Sequence, residues 1–198
     1  VYENCPNDEM RAKFELPNFI TKMSENKWLG DKTKQGFYKK SKNENGKRII
    51  EALNLKTLKY APKQRSKFAT IAVAKQEDNL LKRLKILIKG KDKAGEFYRK
   101  SFYSCFAYVS HRIPEITDEL YKIDRALCAG FGWEVGPFQM WDALDVGKTL
   151  SKMEEEGYKA ADWVHDMVKS GTTSFYTTEE GTLKYYNIPE KTQEKVAG

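Results

Sequence analysis

One stretch limits the possible folds more than any other: Ala129-Gly130-Phe131-Gly132-Trp133-Glu134-Val135-Gly136-Pro137-Phe138-Gln139-Met140-Trp141-Asp142. It packs three glycines, one proline and four aromatic residues into 14 positions. Glycine permits tight turns and close backbone approach. Proline fits the first position of a helix, where its missing N–H costs nothing. Phe138, Trp141 and Leu144 then recur at helical spacing. The pattern predicts one helix ending near Cys128, a compact turn carrying Phe131 and Trp133, and a second helix starting at Pro137. It is not a nucleotide-binding loop, because no strand pattern precedes it and the glycines at 130, 132 and 136 do not make Gly-x-Gly-x-x-Gly.

A chain of 198 residues with 40% hydrophobic and 13% aromatic side chains can bury one substantial core, with room for a subdomain. The formal net charge of +7 comes from interspersed signs. That describes a solvated surface, favours acidic or phosphate-bearing partners, and gives no nucleic-acid-binding stripe. Cys5, Cys105 and Cys128 are too few and too irregularly spaced for a disulfide scaffold, so a reducing, cytoplasmic setting is expected. No apolar run is long enough to span a membrane, and no signal-peptide pattern is present. The chain opens on Val1-Tyr2-Glu3, which reads as the middle of a domain and suggests a piece of a longer protein.

In chain order, residues 8–29 read as helix, bent or restarted at Pro17. Gly30 and Gly36 bracket a polar loop made basic by Lys32 and Lys34. That loop is either a packed turn or, through its lysines and exposed amides, a contact for an anionic ligand. Residues 37–61 read as a hairpin turning at Asn45-Gly46, with Lys56-Thr57-Leu58-Lys59-Tyr60 as a short strand. Helices follow. Ser66 is a candidate cap for the first, and Leu80, Leu81, Leu84, Leu87 and Ile88 form a stripe ending at Gly90. Asp92 caps the aromatic helix of Phe102, Phe106 and Val109. Thr117 precedes the helix of Leu120, Ile123 and Leu127. The helix from Pro137 is expected to fail at Gly147, with Thr149 capping another turn or two. Ala160, Trp163, Val164, Met167 and Val168 give the cleanest amphipathic pattern. Residues 174–186 read as strand, turn at Glu180-Gly181, strand, with a frayed tail after Pro189.

Two segments echo one another. Met23, Phe37-Tyr38 and Thr57-Leu58-Lys59-Tyr60 match Met167, Phe175-Tyr176 and Thr182-Leu183-Lys184-Tyr185 in order and type. If the echo is a duplication, each Phe-Tyr pair starts a hairpin on a preceding helix, and Leu58 and Leu183 point inward.

Candidate chemistry is sparse. His111 at a helix end is either a base or a structural residue at the helix dipole, and His165 sits among Asp162 and Asp166 on a solvated flank. No Cys/His spacing suits a metal, and no nucleophile-elbow or phosphate-loop motif is present. Among the carboxylates, Asp118, Glu119 and Asp124 are candidate pairs. Glu134 and Asp142 are candidates for orientation beside the junction or for capping an amide. The tryptophans at 28, 133, 141 and 163 read as core. From the residues alone, this is a helical scaffold, a dimerisation element or a binding wall rather than a self-contained enzyme.

Asp124-Arg125-Ala126-Leu127, then Gly130-Phe131-Gly132-Trp133-Glu134-Val135-Gly136-Pro137-Phe138 and Trp141-Asp142-Ala143-Leu144, resembles the C-terminal domain of 3-hydroxyacyl-CoA dehydrogenases. Trp28-Leu29-Gly30-Asp31-Lys32-Thr33-Lys34-Gln35-Gly36-Phe37-Tyr38 is similar to the signature that closes such a domain. The closing signature comes first, as in long bacterial members with a duplicated C-terminal domain. The resemblance implies a mainly α, 6-phosphogluconate dehydrogenase C-terminal-like helical fold with short β-hairpins at 37–60 and 174–186. It implies that 1–61 closes a first domain and that 62–198 forms a second. It also implies fatty acid β-oxidation, with NAD held by a Rossmann domain elsewhere in the parent and an acyl-CoA substrate. An enoyl-CoA hydratase-like domain and a second copy of the chain are the further partners. Lys32 and Lys34 match the basic loop and are expected near the CoA end. The family's catalytic His/Glu pair lies in the Rossmann domain, and its Asn-Arg has no match at Ser110-His111-Arg112. No catalytic, cofactor-binding or metal residue is therefore expected in this stretch, and the isolated chain is expected to be inactive. The alternative is a stand-alone CoA-binding or interaction module.

Overall fold

Pro17, extended at ψ 148°, turns the chain into the first regular helix, α1 (Asn18–Glu25). The computed structural model describes residues 2–197 and divides into two compact units, residues 1–66 and 67–198. In the first unit the expected long N-terminal helix is a short 3-10 turn, Arg11–Phe14, followed by α1 alone. Pro17 supplies no N–H for a continuous helix and biases Leu16 to extended backbone.

After a 3-10 turn at Asp31–Thr33 come β1 (Tyr38–Lys42), β2 (Arg48–Leu53) and β3 (Tyr60–Pro62), an antiparallel sheet in that order. The Asn45-Gly46 turn is present, with Gly46 at φ 72°. The partner of β1 is β2, however, not residues 56–60. Asn54 is the reason. Its Oδ1 accepts from the amides of Lys56 (3.0 Å) and Thr57 (3.1 Å), bending the chain so that Leu58 sits at φ 56° in a turn. Leu58 is therefore not an inward strand residue.

Among its described residues the second unit holds seven helices: α2 (Ala69–Ala74), α3 (Leu80–Lys89), α4 (Lys93–His111), α5 (Leu120–Phe131), α6 (Pro137–Ala143), α7 (Val146–Glu155) and α8 (Asp162–Lys169). Asn79 caps α3 by accepting from the Lys82 amide, and Asp92 caps α4 by accepting from Ala94 and Gly95. Asp92 also accepts from the Thr70 amide at 3.0 Å, tying the start of α2 to that of α4. Ser66 is not the cap of α2; Phe68 holds that position. Gly147 does not stop a helix. Asp145 caps α7 by accepting from the Lys148 amide, and Gly147 lies inside it, where a Cβ would rest 3.7 Å from Val168.

The unit ends in a second antiparallel sheet, β4 (Tyr176–Glu179), β5 (Thr182–Asn187) and β6 (Thr192–Lys195), with β5 in the middle. Glu180 and Gly181, at φ 47° and 76°, form the two-residue hairpin turn read from the sequence. The tail is paired, not frayed: β6 adds to β5, and the Arg125 guanidinium donates to the Ala197 carbonyl at 2.7 Å. Leu183 is 43% exposed, so the expected inward leucine points out, and Tyr185 and Tyr186 carry the burial.

The core of the second unit is aromatic. Trp141 stacks on Phe106 at 5.0 Å and 8°, and Phe175 meets Trp141, Phe138 and Trp163 at 5.3, 5.1 and 5.8 Å. Trp141, Phe106, Phe138 and Phe175 are fully buried. Each such side chain stabilises the fold by about 2–3 kcal/mol through burial, and each aromatic pair adds about 1 kcal/mol. Trp133 is not core: it is 39% exposed beside Phe131, itself 73% exposed, because α5 runs on to Phe131 and the turn projects outward. Among the described residues no helix is long and apolar enough to cross a membrane. The fold is thus mainly helical with two small antiparallel sheets.

Candidate functional site

The polar groups of the second unit converge where α5, α6 and β4 meet. Gly136 occupies the cap position of α6 and has no side chain to offer the helix. Asp124, one helix earlier, fills that place: a Cβ on Gly136 would lie 2.2 Å from the Asp124 Cβ and Cγ. The amides of Phe138 and Gln139 donate to the two Asp124 carboxylate oxygens at 2.9 and 3.1 Å. Asp124 therefore caps a helix it does not belong to, at the two amides a cap residue ordinarily serves. Tyr176 donates its hydroxyl to the same carboxylate at 2.9 Å, and Gln139 Oε1 accepts from the Gly136 amide at 3.0 Å.

At the other end of α6, Asp142 accepts from the amides of Phe175 (2.7 Å) and Tyr176 (2.9 Å), pinning the start of β4. Burial pushes the Asp142 carboxyl up to about 7 against its two amide bonds, and the nearby Asp124 charge adds to the rise. Burial likewise pushes Asp124 up to about 6, against the hydrogen bonds from Phe138, Tyr176 and Gln139. Tyr176 is raised by burial and then by the Asp124 charge. This is chemically a structural clamp: the carboxylate oxygens are engaged by amides and one phenol, not directed at a cavity.

Of its two expected roles, Asp142 thus takes the capping of backbone amides. Glu134 does not, being exposed on the outer turn. Asp118 and Glu119 do not join Asp124; Glu119 pairs with Lys122 and accepts from the Tyr121 hydroxyl. The union of Asp124, Asp142 and Tyr176 was missed in the sequence. The signal available was Gly136, a glycine at φ −80° with no conformational need to be one.

The histidines lie elsewhere. His111 Nε2 is 3.2 Å from the Lys159 carbonyl, and His165 Nδ1 is 3.6 Å from Glu154. The three cysteines are unpaired; burial pushes Cys105 up to about 11. Among the described residues no cluster of His, Cys, Asp and Glu could hold a metal.

In the first unit Lys32 and Lys34 are exposed on the 3-10 turn, Lys34 at φ 62°. The loop beneath them is tightly built. The Thr33 hydroxyl accepts from the Leu29 amide at 2.9 Å, and the amides of Gly30 and Gln35 donate to each other's carbonyls at 2.8 and 3.1 Å. Gly36 is packed on Gly30, where a Cβ would meet the Gly30 Cα at 2.8 Å. Tyr60 donates to the Gly36 carbonyl at 2.5 Å and meets Trp28 edge-on at 5.7 Å.

The second unit also has an open cleft of about 640 Å³, lined by six basic side chains, among them Lys85, Lys89 and Lys152, and by the acidic Asp145, Glu155 and Glu156. Arg99 is held by the carbonyls of Ile88 and Gly90, and Lys148 by Asp145.

The chain that carries this clamped Gly-Pro junction and the separate Gly30–Gly36 loop is similar in sequence to fatty acid oxidation enzymes. It is related to the 3-hydroxyacyl-CoA dehydrogenases: a probable 3-hydroxyacyl-CoA dehydrogenase of Bacillus subtilis (strain 168) is 36% identical over 190 residues, 96% of this chain and 23% of the relative. Two putative fatty acid oxidation complex trifunctional enzymes are also similar. That of Rickettsia felis is 30% identical over 121 residues, 61% of this chain and 15% of the relative. That of Rickettsia prowazekii is 29% identical over 133 residues, 67% of this chain and 17% of the relative. The chain spans about a quarter, or less, of the length of these relatives. No family model and no solved structure matches it.

Proposed function

We propose that this chain is the helical C-terminal part of an NAD-dependent 3-hydroxyacyl-CoA dehydrogenase of β-oxidation, acting as a substrate-side wall or as a framework for domains and subunits. The observation that carries this reading is the Asp124–Asp142–Tyr176 clamp. Its polar groups are spent on backbone amides and one another, which suits a rigid wall better than an acid–base site. The mainly helical architecture supports a 6-phosphogluconate dehydrogenase C-terminal-like domain, with 1–61 closing a first copy and 62–198 forming a second. NAD is then held by a Rossmann domain of the parent, and acyl-CoA is the substrate. An enoyl-CoA hydratase-like domain and a second subunit are neighbours, and the cytoplasm is the setting. Lys32 and Lys34, exposed on a rigid turn, lie toward the CoA end.

The test is an absorbance assay of NADH formation from 3-hydroxybutyryl-CoA, run on residues 1–198 alone and on the parent enzyme. The parent is expected to turn over and the isolated chain not to. Turnover by the chain alone at an ordinary enzymatic rate, roughly 1–1000 per second, overturns the reading. One observation favours a second reading, a CoA-binding module without catalysis: the cleft of about 640 Å³ in the second unit, whose lining keeps a basic excess from Lys85, Lys89, Lys91 and Lys152 after Asp145 and Glu156 pair with Lys148 and Arg99. Calorimetric titration with CoA, compared with Lys85→Glu, separates the two.

A further inference from the structure

The two ends of the chain are built on one plan, yet only one is covered. Helices α1 and α8 have the same length and follow an extended residue, Pro17 at ψ 148° and Ala161 at ψ 149°. Both stop in the same way. Trp28 donates to Met23 O after a left-handed Lys27 (φ 57°), and Thr172 donates to Met167 O after Gly171 (φ 91°). A ring on each helix meets the following phenylalanine edge-on: Phe19–Phe37 at 68° and Trp163–Phe175 at 67°.

The sheets then match bond for bond. Leu53 N donates to Phe37 O as Tyr186 N does to Phe175 O, and Lys63 N donates to Ile50 O as Val196 N does to Leu183 O. Tyr38 faces Ala52 across the ladder as Tyr176 faces Tyr185. The lengths differ only in the closing loop and the hairpin turn.

Their surroundings differ sharply. Phe175 is 0% exposed and Phe37 is 47% exposed. The amides of Phe175 and Tyr176 donate to Asp142, whereas among the described residues no side chain accepts from Phe37 or Tyr38. Tyr185 is met by Tyr121 of α5 at 4.8 Å; its counterpart Ala52 is only half-buried. Of the first unit's described hydrophobic side chains only Met23 and Leu53 are buried. Charge is divided the same way: residues 1–66 carry 15 basic and 8 acidic side chains, and residues 67–198 carry 20 of each. The whole excess of +7 therefore lies on the uncovered unit.

We propose that the Phe37–Tyr38 corner of the first unit is the docking site for a helix pair of the α5–α6 kind, supplied by another part of the parent polypeptide. The second helix of that pair presents a carboxylate to both amides and aromatic rings to Phe37, and the first presents a carboxylate to the Tyr38 hydroxyl. The proposal rests on the duplicated-domain reading above and adds the chemistry of what completes the first copy. Two carboxylates arriving on a unit of net positive charge, with Lys63 Nζ 4.8 Å from the Tyr38 ring, are electrostatically matched to it.

The test is a tandem chain in which residues 67–160 are repeated ahead of Pro17, the junction that Ala160 ordinarily makes with Ala161. Amide exchange at Phe37 and Tyr38 is read by NMR, with Phe175 and Tyr176 as internal references. A second version adds Ala52→Tyr, restoring the ring that Tyr121 meets in the complete module. The expected result is exchange at Phe37 and Tyr38 slowed by at least about tenfold. It should return to its starting rate when Asp142→Asn is placed in the added copy alone. Exchange left unchanged in both versions, or protection indifferent to Asp142→Asn, overturns the proposal. So does self-association of the starting chain that Phe37→Glu abolishes, because the occupant is then a second copy. No dehydrogenase activity is read, so an inactive parent would sink the proposed function and leave this inference standing.

Discussion

Gly136→Ala tests whether Asp124 caps α6 from outside. The backbone at Gly136, φ −80° and ψ 169°, is open to any residue, so alanine brings no conformational strain. Its methyl would instead lie 2.2 Å from the Asp124 Cβ and Cγ and 2.5 Å from its Cα, so α5 must shift and carry the carboxylate off the amides. The amides of Phe138 and Gln139 and the Tyr176 hydroxyl then lose their acceptor. A hydrogen bond to a charged group contributes about 1.5–3 kcal/mol, and releasing a carboxylate held up near 6 by burial offsets part of the three. The net loss is about 3 kcal/mol, and alanine at a cap position adds about 1. Asp124→Ala alone costs about 3 kcal/mol by the same reasoning but keeps the Cβ and Cα of residue 124, 2.2 and 2.5 Å from the new methyl, so it does not clear the obstacle. The double variant should therefore lose those hydrogen bonds once rather than twice, falling about 3 kcal/mol short of additivity, while costing clearly more than Asp124→Ala because the clash with the residue-124 Cβ and Cα remains. Urea unfolding followed by far-UV circular dichroism measures all three variants, since helix dominates that signal and lies mostly in residues 67–198. A Gly136→Ala loss under about 1 kcal/mol, or two losses that simply add, refutes the argument.

Two further outcomes are expected. Trp141→Ala should cost about 3–5 kcal/mol, because Trp141 is fully buried between Phe106 and Phe175. Trp141→Phe should cost under half of that, since the indole N–H has no acceptor among the described residues; a loss below about 0.5 kcal/mol in urea for the alanine variant contradicts the core assignment. Stability should fall by roughly 2–4 kcal/mol from pH 5 to pH 8: Asp124 and Asp142, raised to about 6 and about 7 from 3.8, bind more protons folded than unfolded across that window. The lowered carboxyls of Asp92, Glu96, Glu119 and Asp145 act below that window, so stability that is flat or rises between pH 5 and 8 contradicts this sign, and Asp142→Asn should flatten the slope.

How much of this was legible depends on the range of the interaction. The start of α6 at Pro137 could be read because proline and the Phe138–Trp141 spacing act within one turn. The Glu180-Gly181 turn was local in the same sense, and so was the Asp92 cap. Asp142 was singled out correctly because it sat beside the junction. Asp124 was grouped with Asp118 and Glu119 instead, because its role is to replace a side chain that Gly136 lacks, 12 positions away. The strand β6 has the sequence Thr-Gln-Glu-Lys, with no apolar alternation to announce it; its pairing comes from the backbone of β5. Residues 56–60 alternated like a strand, and the Asn54 side chain overrode the pattern. The echo between the two ends was visible, but it was aligned on the wrong second strand. Thr57-Leu58-Lys59-Tyr60 looks like Thr182-Leu183-Lys184-Tyr185, while the ladder equates Leu53 with Tyr186.

Capping from a neighbouring helix also governs the order in which the molecule can assemble. Helix α6 has seven residues, too few to nucleate alone, and the acceptor for its first amides arrives only when α5 is already in place. Its far end in turn fixes the first residues of β4 through Asp142. None of the three can fray without releasing the next, so α5, α6 and β4 open and close as one cooperative block. Evolutionary change at Asp124, Gly136 or Asp142 is then constrained jointly: a substitution at one is tolerable only when the others move with it.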